Sequence, residues 1–212
     1  MRRALMEVPL PPDWQRWMVG EASRLGSRLA VRSSGIDEDG AERSFAGQHH
    51  TSLGLRPAEV PRAIRACWAS LYSERALAYR SHSGLGPPIG AMGVIVQQLV
   101  DPRVSGVLFT INPLNGSWRE MILESTWGLC EGLVSGRVAP HWTLVRRPRQ
   151  APGLVRRLTS RLRLKVMQED LPAIHTRWVV RRGEVIEEHV PETLVDAPTL
   201  TRRELHLSLI HI

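Results

Sequence analysis

Within residues 29–51 the chain gathers Arg32, several hydroxyls and the loop glycines Gly35 and Gly47. The apolar run Leu29–Val31 delivers Arg32, Ser33 and Ser34 into a turn at Gly35. Asp37, Glu38 and Asp39 follow, and a second loop, Ser44-Phe45-Ala46-Gly47, leads to Thr51. These are the groups a polyanion needs. A guanidinium pairs bidentately with phosphate oxygens, and glycine lets backbone N–H groups approach them. The same residues would equally serve as a polar loop between strands, and residue types alone leave both readings open.

The flanking sequence sets out the elements that must position these groups. Residues 29–33 read as a strand, preceded by a short helix within 1–20 that follows Pro11-Pro12 and carries Trp14, Trp17 and Met18 on one side. Pro61 suits a first helical turn, and Ile64, Cys67, Trp68 and Leu71 follow at helical spacing, predicting a helix to about Arg80. Apolar, β-branched runs at 93–100, 105–111, 120–126 and 141–146 predict strands. Turns at Asp101-Pro102, Asn112–Gly116 and Gly132–Pro140 separate them. Arg177–Val180 and Val185–His189, joined by Arg182-Gly183, read as a hairpin. The pattern is α/β: a mixed sheet with helices packed on it. Trp127, Trp142 and Trp178 alternate with apolar neighbours and read as core rather than as a stacking platform for bases.

Composition narrows the function classes. A chain of 212 residues can bury a respectable core as one large domain or two small ones. No apolar run approaches the roughly 18 residues of a membrane span. The start, MRRALMEVPLPPDW, lacks the apolar stretch and cleavage site of a signal peptide. Cys67 and Cys130 are too few for a disulfide framework and have no metal-ligand spacing, so a reducing cytoplasm is the expected setting. The net charge of +7 comes from 28 basic against 21 acidic residues, and Lys165 is the only lysine. Nucleic-acid binders use both basic types, so the arginine skew reads as a GC-rich genome. One cluster stands out: from Arg146 to Lys165 there are eight positive charges and no acidic residue. It reads as a solvated or interdomain face, with nucleic acid or another polyanion as the rival partner.

The wording of the 30–51 loop resembles the nucleotide-binding domain of the phosphoenolpyruvate synthase and pyruvate phosphate dikinase family, which includes the rifampicin phosphotransferases. CWASLYSERALAYR (67–80), VIVQQLV (94–100), SGVLFTINPLNG (105–116) and ILESTWGLCEGLVSG (122–136) continue the resemblance in the family's order. It implies an ATP-grasp fold, with ATP and Mg2+ as cofactors. It implies that Arg32 and Ser33 face the phosphates, and that Gly47 and Thr51 belong to a mobile loop covering them. Gln97 is implied to lie where the family's hinge meets the adenine, and backbone N–H and C=O there can read a base edge. Gln98 is adjacent. Glu124 and Glu131 are the implied metal ligands, because hard cations take oxygen donors; two surface carboxylates is the alternative. The family generally has glycine where Cys130 stands, which predicts a narrowed turn. His49-His50 read as loop residues, since the family's phosphohistidine sits on a separate swivelling domain.

By this resemblance the chain is the larger part of an ATP-grasp domain from a dikinase-type enzyme. Such enzymes pass the β-phosphate of ATP to a distant histidine and then to an acceptor. Pyruvate is the first expected acceptor and a rifampicin-type antibiotic the second. Both ends read as cut, leaving the ATP-grasp fold incomplete. No lysine precedes residue 29, and DAPTLTRREL (196–205) resembles the approach to the family's metal-binding segment. The expected organisation is therefore 1–28 as a remnant of a preceding lobe, 29–206 as the nucleotide-binding domain, and 207–212 as a read-through artefact. The phosphohistidine and acceptor-binding domains of the same polypeptide are the missing partners, and a fragment without them is expected to be inactive.

Overall fold

A computed structural model of the chain describes residues 1–35, 50–82, 84, 91–147, 165–181 and 184–210. By compactness the chain divides after Val100. One unit comprises 1–100 with 180–185, the other 101–179 with 186–212.

The first unit is built on a three-stranded sheet. Strand β1 (Leu29–Gly35) lies between β2 (Thr51–Leu55) and β3 (Met92–Gln98), antiparallel to both. Helices α1 (Arg2–Glu7), α2 (Pro12–Leu25), α3 (Val60–Ser70) and α4 (Glu74–His82) complete it. Leu29 and Val31 alternate onto one face and pack with Ala22 of α2, Val60, Ala63, Ile64 and Cys67 of α3, and Met92. Residues 1–28 therefore belong with this unit, because α2 buries Ala22 and half-buried Met18 in its core. Trp14 and Trp17 stay exposed, so the helix turns its smaller apolar residues inward.

The expected helix from Pro61 to about Arg80 is two helices. Ser73 supplies the break: its hydroxyl accepts the Ala76 N–H at 3.2 Å, the N-cap bond that starts α4. Cys67 is fully buried between α3 and β1, and burial pushes its thiol up to about 11. At about pH 8 its thiolate fraction is then roughly one in a thousand. An alkylating reagent at that pH should leave Cys67 unmodified until the unit unfolds and should reach half-buried Cys130 first. Timed labelling read by mass spectrometry checks this, and early modification of Cys67 would contradict it.

The second unit holds a four-stranded antiparallel sheet in the order β4 (Val104–Phe109), β5 (Glu120–Trp127), β6 (His141–Arg146), β7 (Lys165–Asp170). Met121, Leu123 and Val145 form one small core with Leu205. Trp127, Ile174 and Val190 form another. Short helices α5 (Glu131–Val134) and α6 (Glu192–Val195) and the terminal α7 (Arg202–Ile210) accompany the sheet, so Leu207–Ile210 continue a helix. Thr201 and Glu204 start α7 with a capping box. Each side chain accepts the other's backbone N–H, at 2.8 and 3.2 Å. β8 (Thr176–Arg181) and β9 (Glu184–His189) pair with each other as the expected hairpin.

The α/β reading stands: the described strands form three sheets, and within β1–β3 and within β4–β7 every pairing is antiparallel. Strands β2 and β7 carry no clear apolar signature. β2 contains Gly54 and β7 is mostly polar, so each exists through its pairing with a stronger neighbour.

Candidate nucleotide site

The pairing register of the three-stranded sheet decides which loop-flanking residues share a face. Arg32 lies opposite Thr51 on one side and Ile95 on the other, and Ala30 lies opposite Gln97. Directly opposed residues project to the same side, and the side alternates along a strand. Ala30, Arg32, Ser34, Thr51, Ile95 and Gln97 therefore line one face, opposite the core. Arg32, Ser34, Thr51 and Gln97 are exposed, and among the described residues Arg32 makes no ion pair with a carboxylate. This is an exposed guanidinium beside two hydroxyls and an amide, with exposed Ile95 as an apolar surface next to it.

Ser33 is set apart from this group. Its neighbours in register put its side chain on the core face, where it is buried, and its backbone N–H donates to His50 O at 3.4 Å. Ser34 holds the position on the Arg32 side. Alternation from Leu29 and Val31 is the signal that separates the two serines, and apolar Ala30 on the outer face obscures it. Gln97 and Gln98 are separated in the same way. Gln97 shares the Arg32 face, whereas the Gln98 side chain lies beside Gly26. The boundary between the two units falls two residues beyond β3, after Val100. Gly47 and His49 lie outside the described residues, as does most of the loop 44–51.

In the second unit, Glu124 is half-buried on β5 between Val107 and Trp142, and Glu131 is the exposed first residue of α5. Burial first, then the charges of Glu131 and Glu124, push the Cys130 thiol above its ordinary value. Both carboxylates thus act on the same spot. Among the described residues no cluster of three histidine, cysteine or acidic side chains could hold a metal ion. Two carboxylates suit Mg2+, which commonly takes one or two together with phosphate oxygens and water.

Cys130 itself does not narrow the turn. It adopts the right-handed helical conformation, φ −68°, where a side chain costs no backbone strain. The glycines this turn requires are its neighbours. Gly128 has φ +72°, and a Cβ there would lie 2.3 Å from Trp178 O. A Cβ on Gly132 would meet the Trp178 ring at 2.5 Å.

The loop between β4 and β5 is rigidly built. Glu120 accepts from Asn112 and Asn115, both at 3.0 Å, and pairs with Arg146 at 3.1 Å. The Asn115 amide first, then Asn112 and Arg146, hold its carboxyl below the usual range. Arg147 donates to Thr110 O and Trp118 O. Two of the eight charges in the basic cluster are therefore tied into this loop. Arg149 to Arg163 lie outside the described residues.

With this geometry in view, comparison with known proteins is decisive. Residues 1–207 match the family described as pyruvate phosphate dikinase, AMP/ATP-binding domain. The chain belongs to that family. It is 40% identical over 148 residues to a phosphoenolpyruvate synthase of Aeropyrum pernix, covering 66% of this chain and 18% of that protein. It is 42% identical over 149 residues to a rifampicin phosphotransferase of a Streptomyces species, covering 69% and 17%. It is 38% identical over 181 residues to the prodigiosin-synthesizing transferase PigC of Serratia marcescens, covering 85% and 19%. The chain thus spans less than a fifth of the length of each of these relatives. The α/β architecture agrees with the ATP-grasp expectation. Among the described residues no helix is long and apolar enough to cross a membrane.

Proposed function

We propose that this chain is the ATP-binding part of a phosphoenolpyruvate synthase-like phosphotransferase. The enzyme passes the β-phosphate of ATP, through a histidine on a separate domain, to pyruvate. The observation that carries the reading is the exposed face that Arg32 shares with Thr51 and Gln97, in a chain of the AMP/ATP-binding family. Arg32 pairs with phosphate oxygens, and the Thr51 hydroxyl and the Gly47 N–H add hydrogen bonds. The backbone around Gln97 reads the adenine edge. Ser33 contributes through its backbone alone, and Ser34 offers the hydroxyl on the binding side. Glu124 and Glu131 would hold Mg2+, which neutralises phosphate charge when bound. These residues position the nucleotide and offset its charge, the main work of phosphoryl transfer.

A second acceptor reading, a rifampicin-type antibiotic, is favoured by the 42% identity to the Streptomyces enzyme. Titrating MgATP calorimetrically into the polypeptide that carries the remaining domains tests the nucleotide reading. AMP release with pyruvate or with rifampicin then distinguishes the acceptors. If binding occurs but collapses with salt as counterion release dictates, the site is instead a polyanion surface fed by residues 146–165. Absence of binding at millimolar MgATP would overturn the proposal.

A further inference from the structure

A second polar centre lies on the other face of the four-stranded sheet, away from Glu124. His141 opens β6 opposite Ser125 and is buried to 2% exposure. Its Nδ1 accepts the Thr199 backbone N–H at 3.1 Å and lies 3.2 Å from Thr199 Oγ1. Its Nε2 is 3.0 Å from Pro172 O. A backbone N–H only donates and a carbonyl only accepts, so the ring is neutral with its hydrogen on Nε2. Thr199, itself buried, is held at its other polar atoms too. Its hydroxyl meets Ser125 Oγ at 2.7 Å, and its carbonyl accepts from Arg103 at 3.3 Å. Two residues on, Thr201 caps α7, whose Leu205 packs with Met121, Leu123 and Val145. A cavity of about 200 Å³, lined in part by Ser125, His141, Thr143 and Thr199, adjoins the cluster and gives solvent a way in.

We infer that His141 is the proton-sensitive element of a buried latch that fastens residues 198–204, and through them α7, to the sheet. A proton on Nδ1 would confront the Thr199 N–H with another donor. Even if it turned to Thr199 Oγ1, the buried N–H would lose its acceptor, a loss that drives the segment off. The charge of Asp170 on β7 acts on the ring, Glu169 of β7 and Arg202 of α7 line the adjoining cavity, and Arg103, ahead of β4, reaches the Thr199 carbonyl and pairs with Glu204 at 2.5 Å. Arg202 pairs with Glu169 at 2.7 Å. Burial depresses the His141 pKa below its ordinary 6.5, against the opposing pull of the Pro172 carbonyl and Asp170. With the folded value lowered, the latch contributes fully above about 6.5. It weakens as pH falls below that value, because the released ring takes up a proton that the latched ring resists.

Hydrogen exchange at the Thr199 and Leu205 amides, corrected for intrinsic rates, tests this on the whole chain between about pH 7.5 and 5.5, above the carboxylate range. The opening constant should rise below about 6.5 by up to tenfold per pH unit, the limit for one proton, while the β5 amides hold steady. His141→Gln keeps a carbonyl acceptor for Thr199 and has no titration, so its profile should be flat. If that variant does not fold, nitrogen shifts of the wild-type ring must show the Nε2–H tautomer and a pKa below 6.5. A flat wild-type profile, an equal pH response in the variant, or the Nδ1–H tautomer would overturn the latch.

Discussion

Gly128→Ala should destabilise the second unit by about 3–5 kcal/mol, the largest effect expected of any single methyl group here. Two costs add. At φ +72° an L side chain costs about 1–2 kcal/mol. In addition, the new Cβ would sit 2.3 Å from Trp178 O, where real Cβ atoms are not found. Neither partner can yield cheaply. Gly128 N–H donates to Arg103 O at 2.9 Å, Gly128 O accepts from Ser105 Oγ at 2.6 Å, and Leu129 N–H donates to Trp178 O at 2.7 Å. Gly136→Ala is the control: its φ is +70° but nothing lies within 4 Å of its Cβ position. It should lose only the backbone part. Denaturant unfolding of both variants separates the costs, and equal losses would show that the Trp178 contact is not what requires glycine.

Arg32→Ala should weaken MgATP binding about 10- to 100-fold. A charge-assisted hydrogen bond is worth about 1.5–3 kcal/mol, and about 1.4 kcal/mol is a factor of ten in affinity. Stability should hardly change, since Arg32 is exposed on the face opposite the core. Arg32→Lys should recover part of the affinity at most, because an ammonium cannot make the bidentate pair. The two serines give an internal comparison. Ser34→Ala should cost affinity, whereas Ser33→Ala should act through the packing of the buried face. Calorimetry beside thermal melting reads both. Unchanged affinity in folded Arg32→Ala would remove this residue from the site.

Five ordered sequence blocks were enough to place the chain in its family. The strands β1, β3, β4, β5 and β6 were legible because apolar, β-branched runs bounded by turn residues are a local signal. Other features were not local. The break at Ser73 depends on one hydroxyl capping the next helix in competition with a continuous helical pattern. β2 and β7 form only because partners offer them an edge.

The same division runs through the site. Sequence determined which chemical groups are present and in what order, since these follow from residue type and spacing. It also gave the outer limits of most strands. Register decided that Ser34, not Ser33, stands beside Arg32, because one residue's difference along a strand reverses the face. Only folding brought Trp178 against Gly128, and so made glycine obligatory there rather than at residue 130. His141 and Thr199, 58 residues apart, become donor and acceptor only when the terminal segment closes over the sheet. Contacts at that separation depend on the packing of whole elements, which no local pattern encodes.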